Sequence, residues 1–69
     1  MPSAHVDAVV RLKEDDPTHQ LRRGDAGIVV SVWLSSNFLC EVEFRKSARS
    51  PAVRALLRAE QLEIVGGTG

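Results

Sequence analysis

The sequence has little cysteine, few aromatic residues and no long apolar run, and each shortage excludes a class of protein. Cys40 is the one cysteine, so no internal disulfide can form and a disulfide-stapled small domain is excluded. The longest apolar run has nine positions, 26–34, whereas about 20 are needed to span a bilayer. No basic segment followed by an apolar one marks a signal peptide near residue 1. These features predict a reduced thiol and a cytoplasmic protein.

Net charge is also lacking, because nine Lys and Arg residues balance nine Asp and Glu residues. A neutral chain has no general attraction to phosphate, which a dedicated nucleic-acid binder usually has. At 69 residues the chain is long enough for one domain, which buries only about 60% of the surface of the unfolded chain. We expect a single domain over residues 1–65 and a flexible tail over 66–69, with no room for a deep cofactor cleft.

Groups that could perform catalysis are scattered. His5 and His19 have no Cys or carboxylate at ligand spacing, which predicts solvated histidines rather than metal ligands. Cys40 lies on the apolar side of a predicted strand, which favours a small buried hydrophobe over a nucleophile. The acidic stretch 14–16 lacks the further oxygen ligands of a calcium loop. We therefore predict no enzymatic activity, no cofactor, no metal and no small-molecule substrate.

Short β-branched segments separated by turn residues predict an all-β chain. We expect strands at 8–12, 26–34, 38–44, 52–59 and 62–65. The long loop at 13–25 holds Leu21 as its apolar anchor and Gly24 as a turn residue. Residues 52–59 have two interpretations: their Ala, Leu and Arg content favours a helix, and the surrounding strands favour a fourth strand. With the strand, 59–61 forms one helical turn.

The alternation of apolar and polar residues predicts the register of the two strands on either side of the predicted 35–37 hairpin loop. Phe38, Cys40, Val42 and Phe44 alternate with polar neighbours and are expected to face inward. Closing the hairpin at Leu34–Phe38 then gives the inward pairs Val32–Cys40, Val30–Val42 and Ile28–Phe44. The same register gives the outward pairs Trp33–Leu39, Ser31–Glu41 and Val29–Glu43. All inward partners are apolar, which supports this register.

Two surfaces follow from this arrangement. The outward apolar set, Val29, Trp33, Leu39 and Leu56, is the predicted partner-binding patch, since contiguous apolar patches commonly mark interfaces. The alternative is that strongly bent strands bury part of both faces, which would make Trp33 a lid on the core. The segment 45–58 contains five basic residues and no acidic one. These five are the predicted anion- or RNA-facing set: Arg45, Lys46, Arg49, Arg54 and Arg58. Its alternative is a solvated face in which Arg54 or Arg58 pairs with Glu41 or Glu43.

Five short strands, a long first loop, a hairpin and a helical turn before the last strand are the plan of a small SH3-like barrel. The stretch Arg-Gly-Asp-Ala-Gly-Ile-Val-Val at 23–30 resembles the Gly-Asp-x-Gly-x-Val segment of KOW-type modules in ribosomal and transcription proteins. Gly27 would admit a close crossing or a bulge where the strand bends. We therefore predict an all-β, five-stranded SH3-like barrel with a single helical turn before the last strand.

A closer resemblance runs from about Asp7 to Val65. It is carried by Val9-Val10, Leu12, Asp16-Pro17, Leu21, Gly24-Asp25-x-Gly27, Val29-Val30, Glu41-Val42-Glu43-Phe44, Leu57 and Gln61-Leu62. In these residues the chain resembles a family of short bacterial proteins, the domain of unknown function four-nine-two-six. The resemblance implies the fold and a bacterial origin, and it carries no catalytic residues. The chain departs from the family in lacking an Asp-Gly turn after the Glu-Val-Glu-Phe strand.

Two functions remain in competition. The first is a non-enzymatic protein-interaction module, as a small partner, antitoxin or immunity-type protein, with self-association as one form. The second is an RNA-binding or ribosome-associated barrel of KOW type, which the basic segment favours and the zero net charge opposes. A reader of proline-rich peptides is a weaker third hypothesis, because that groove needs aromatic residues that the chain lacks.

Overall fold

The computed structural model describes residues 5–33, 39–45 and 47–66, and it places five strands in them. The strands are β1 Val9–Leu12, β2 Ala26–Trp33, β3 Leu39–Phe44, β4 Val53–Arg58 and β5 Leu62–Gly66. Two 3-10 turns, Pro17–His19 and Ala59–Gln61, complete the elements. The strand interpretation of 52–59 and the helical turn at 59–61 are thus confirmed. The predicted closing pair Leu34–Phe38, the 35–37 loop and Lys46 lie outside the described residues.

The strands form one antiparallel sheet in the order β4-β3-β2-β1-β5. In a flat sheet β4 and β5 would lie four spacings of about 4.8 Å apart, or about 19 Å. Leu57 of β4 and Leu62 of β5 nevertheless belong to a single core cluster. Val10, Val29 and Val42 are also completely buried, although the described residues contain no α-helix that could cover the sheet, so the sheet curls upon itself. A small five-stranded all-β fold is thus confirmed, and the predicted SH3-like barrel is compatible with it.

The core is built from alternate residues of every strand and from Leu21 of the long loop. The buried residues are Ala8, Val10, Leu12, Leu21, Val29, Cys40, Val42, Phe44, Ala55, Leu57 and Leu62. The predicted inward parity of β3 is confirmed for Cys40, Val42 and Phe44. In β4 the same alternation buries Ala55 and Leu57, which explains why a segment of good helix formers is a strand here: only a period of two supplies apolar groups to this core.

The long loop between β1 and β2 folds back onto the end of β1. Asp16 and Leu21 exchange backbone hydrogen bonds of 2.9 Å in both directions, which brings Leu21 into the core. Gly24 adopts a φ of +92°, and its amide donates to the Leu12 carbonyl at 2.9 Å. The predicted anchor at Leu21 and the turn at Gly24 are both confirmed.

The register between β2 and β3 shifts at Val30. The predicted pairs Val32–Cys40, Ser31–Glu41 and Trp33–Leu39 are confirmed. Between Ser31 and Val29 the register slips, and Val29 lies opposite Val42. The predicted pairs Val30–Val42, Ile28–Phe44 and Val29–Glu43 are therefore wrong, because a β-bulge adds one residue to β2 and reverses its parity.

The bulge decides which side chains of β2 enter the core. Val29 is completely buried, whereas Ile28 is 48% exposed and lies opposite Glu43. Gly27 takes the inward position opposite Phe44. A Cβ at Gly27 would lie 2.7 Å from Cγ1 of Val42 and 2.8 Å from the Glu43 carbonyl oxygen, so the position admits only glycine. The close crossing predicted at Gly27 is thus present, and the bulge lies a few residues further along β2.

Replacing Gly27 by Ala should destabilise the fold, because the new methyl group cannot avoid the backbone of β3. We expect Gly27→Ala to lower the free energy of unfolding by about 1–3 kcal/mol, as overpacking does. The control is Gly66→Ala in β5, where the nearest atom, Cβ of Val9, lies at an ordinary 3.8 Å. Urea denaturation measures both changes. Equal losses in the two variants would contradict the close approach.

The register shift is tested by two neighbouring substitutions in β2. Val29→Ala should cost about 2 kcal/mol of unfolding free energy, because it opens a cavity in the core. Ile28→Ala should change that energy by no more than about 0.5 kcal/mol, since its side chain is at the surface. Denaturant titration distinguishes the two. A larger loss of unfolding free energy for Ile28→Ala than for Val29→Ala would contradict the bulge and support the regular register.

Candidate functional site

The outward side chains of β2, β3 and β4 form one continuous surface of the barrel. β4 presents Arg54, Leu56 and Arg58 outward, as its alternation predicts, and all are exposed. Strand pairing aligns the outward residues in the rows Trp33–Leu39–Arg58, Ser31–Glu41–Leu56 and Ile28–Glu43–Arg54. Directly opposed side chains in such rows have Cβ atoms about 4.5–5.5 Å apart and interact. We call these nine residues the outer face.

Apolar side chains lie in each of the three rows of the outer face: Trp33 and Leu39 in the first, Leu56 in the second and Ile28 in the third. Trp33 is 55% exposed and Leu56 is 56% exposed, and Leu39 between them is half-buried. The exposure of Trp33 means that it is a surface residue and not a lid on the core. The predicted opposition of Trp33 and Leu39 is confirmed, and Leu56 lies diagonal to Leu39 across the β3–β4 ladder. Three of the four residues of the predicted patch therefore share one surface.

Val29, the fourth residue of the predicted patch, does not belong to this surface. The bulge turns its side chain into the core, where it has no exposed area. Ile28 takes the outward position instead, and reasoning from parity missed it. The signal available in the sequence was Gly27, since a glycine inside a strand commonly marks a bulge or a close approach nearby.

The charges on the outer face are paired rather than segregated. Nε of Arg54 lies 3.2 Å from Oε2 of Glu43, which confirms the predicted cross-strand pair. Nε of Arg58 lies 3.2 Å from Oε1 of Glu60, at the start of the turn before β5. Exposed pairs of this kind add little stability, about 0–1 kcal/mol each. They nevertheless place a carboxylate beside each arginine of β4.

The structure describes two further basic residues of the segment 45–58, and both lie outside the outer face. Arg45 and Arg49 are exposed in the loop between β3 and β4, and Lys46 lies outside the described residues. A turn in this loop is held by the Ser50 amide, which donates to the Ser47 carbonyl at 3.2 Å. The structure therefore divides the four described residues of the predicted basic set between a loop and a strand whose arginines already contact carboxylates.

The acidic residues of the long loop support its backbone. Oδ1 of Asp15 accepts from the Arg23 amide at 2.8 Å, and Oδ2 of Asp25 accepts from the Arg22 amide at 2.9 Å. Oδ2 of Asp16 lies 2.8 Å from Nδ1 of His19, so His19 is part of the loop structure and is not simply solvated. Among residues 5–33, 39–45 and 47–66, no three His, Cys, Asp or Glu side chains come together to hold a metal ion.

Cys40 is enclosed in the middle of β3. It has no exposed area, and burial raises the pKa of its thiol above the ordinary value. Because a raised pKa and a lack of access both disfavour the reactive thiolate, Cys40 serves as a small core residue.

The match to a known family includes the complete outer face. The family profile described as a domain of unknown function, DUF4926, matches residues 7–64. The chain belongs to DUF4926. The matched range contains β1 to β4 and most of β5, so the resemblance carried by the ordered set of residues is confirmed. Neither the curated proteins nor the solved structures give a significant match to this DUF4926 chain. No helix in the described part of the chain is long and apolar enough to cross a membrane.

The enclosure of Cys40 predicts slow thiol chemistry. In the native protein, dithiobis-nitrobenzoate should react with Cys40 more than about tenfold more slowly than with free cysteine, because the thiolate forms only when the barrel opens. In urea the reaction should reach the free-cysteine rate at the unfolding transition. Absorbance of the released thiolate measures both rates. Rapid native labelling would contradict a buried, inert thiol.

Proposed function

We propose that this DUF4926 protein is a non-enzymatic protein-interaction module that binds a partner protein through the outer face. The observation that carries the proposal is the exposure of Trp33 and Leu56, each more than half accessible, on one continuous surface with Ile28. Trp is strongly enriched among the residues that supply most of the binding energy in interfaces. Its exposure on a sheet face beside other apolar residues is therefore best explained by a partner that covers it.

The polar residues of the outer face fit a protein partner. Glu41, Glu43, Arg54 and Arg58 lie between and beside the apolar side chains. Protein interfaces commonly combine buried apolar anchors with charged and polar groups at the rim. A small partner, antitoxin or immunity-type role in the cytoplasm of a bacterium is part of this proposal, and it accords with a cysteine that has no partner for a disulfide within the chain.

The competing function, an RNA-binding or ribosome-associated barrel, receives less support from the same surface. Arg54 and Arg58 are the two cations of the outer face and share it with Glu41 and Glu43, so the face lacks the extended positive potential that a phosphate backbone would meet. Single-stranded RNA is usually held by several stacked aromatic side chains. Within the described residues of the outer face, Trp33 is the one aromatic side chain.

A matched pair of alanine variants tests the proposal. A partner captured from the source cells by the tagged wild-type chain would be identified by mass spectrometry, purified, and titrated against each variant. Trp33→Ala should weaken its Kd by at least about tenfold, the loss of one anchor residue. Val65→Ala replaces an apolar residue of β5 that is 45% exposed, and it should stay within about twofold of the wild type.

Circular dichroism of each variant establishes that the barrel is folded. The proposal is contradicted if Trp33→Ala and Val65→Ala bind the purified partner equally well. It is also contradicted if the captured partner is RNA, bound with a steep salt dependence that Trp33→Ala leaves unchanged.

A further inference from the structure

The outer face ends at the free edge of β4. β4 is the last strand in the sheet order, and in the described part of the chain β3 is its one ladder partner. The Arg58 amide donates to Oε1 of Gln61 at 2.9 Å, so it points away from β3. Because amide directions alternate along an antiparallel strand, the amide and carbonyl groups of Arg54 and Leu56 also point away from β3. The edge thus presents backbone donors and acceptors beside the exposed side chains of the same residues.

A second copy of this chain fits this edge poorly. An antiparallel pair of β4 strands centred on Leu56 would bring Arg54 of one copy opposite Arg58 of the other, at both ends of the pairing. Like charges directly opposed across strands are destabilising, and natural proteins use such charges to prevent self-pairing of edge strands. The sequence of β4 therefore disfavours self-pairing in this register, and its two arginines favour an occupant that carries carboxylates.

We propose that the free edge of β4 binds an extended acidic segment of the partner protein as an additional strand. This proposal rests on the proposed function and names the chemistry of the partner. In the added strand, carboxylates lie opposite Arg54 and Arg58, and an apolar residue lies opposite Leu56. Arg54 and Leu56 each supply a backbone donor and acceptor to the added strand, while the Arg58 amide stays with Gln61.

The arginines can accept this second carboxylate without leaving their present partners. Each contacts its carboxylate through Nε, and the terminal amino groups of a guanidinium offer further donors in a fixed fork. Arg54 and Arg58 stand four residues apart, or about 13 Å along the strand. Two carboxylates at the same spacing, on one face of an extended segment, match them in both distance and charge.

An added strand also joins the apolar part of the outer face. Its apolar residue would lie against Leu56, which is diagonal to Leu39, and Leu39 is opposite Trp33. The strand would therefore cover Leu56 and extend the surface on which the rest of the partner contacts Trp33. Edge pairing supplies the backbone contacts, and the side-chain rows supply the specificity.

The probe is the capped peptide Thr-Thr-Glu-Thr-Val-Thr-Glu-Thr-Thr, titrated into the isotope-labelled full chain and followed by NMR. We expect the amide signals of Arg54 and Leu56 to shift and their hydrogen exchange to slow, because both amides gain acceptors. The peptide with Lys in place of both Glu should leave these signals unchanged. Loss of this contrast, with both peptides or neither shifting the β4 amides, overturns the proposal.

A charge exchange separates edge pairing from general attraction. The double variant Arg54→Glu/Arg58→Glu should lose the acidic peptide by at least about tenfold and gain the Lys peptide. Arg49→Glu makes the same kind of charge change in an exposed loop and should bind like the wild type. If Arg49→Glu weakens binding as much as the double variant does, the attraction is not specific to the edge and the proposal fails.

Leu56→Pro tests the backbone contact directly. The outward Leu56 amide is not needed for the β3 ladder, so proline should be tolerated there, as on other edge strands. It should abolish the shift at Arg54 while the spectrum stays folded; undiminished binding overturns the proposal. If the peptide does not bind but the captured partner still requires Trp33, the edge proposal is refuted and the proposed function stands. If the peptide binds but the captured partner does not require Trp33, the proposed function is refuted and the edge proposal stands.

Discussion

The unpaired residue in β2 is the constraint on which the rest of the barrel depends. By adding Val30 to the strand, the chain turns Val29 into the core, turns Ile28 outward and brings Gly27 against Val42 and Phe44. β2 is the middle strand of the sheet, so a bend and extra twist there affect the strands on both sides. The curl that follows lets Leu57 and Leu62, from opposite ends of the sheet, share one core. A domain this small has no second core to fall back on.

The same bend shapes the surface to which we assign function. Both halves of β2 contribute to the outer face, with Trp33 on one side of the bulge and Ile28 on the other. β4 completes the face and also ends the sheet, so its exposed side chains and its free backbone groups come from the same residues. Apolar contact, charge and backbone hydrogen bonding are therefore available together along one strand. That combination suits an extended segment of another protein better than a nucleic acid.

Much of the fold could be predicted from alternation alone, because β3 and β4 place a polar or charged residue at nearly every second position. The β2 register could not. Ile28, Val29 and Val30 are all apolar, so either parity gives apolar partners for β3, and the agreement of those partners was no test. Gly27 indicates that a bulge or a close approach lies nearby, but it does not indicate at which residue the register shifts. Trp33, Leu39 and Leu56 are predicted correctly on the outer face because they lie where the regular register holds. Val29 and Ile28 lie beyond the register shift, so their inward and outward positions are exchanged. The link between His19 and Asp16 depends likewise on the turn that the loop adopts.

The most direct test of this account is site-specific photo-crosslinking in the source cells, with a diazirine amino acid at position 56 of β4 and, as the control, at position 65 of β5. The crosslinked segment would be mapped by mass spectrometry. The account predicts a protein adduct at position 56 that position 65 does not give, within a segment where carboxylates flank an apolar residue at alternate positions. An adduct to RNA, or the same protein adducts from both positions, would contradict it.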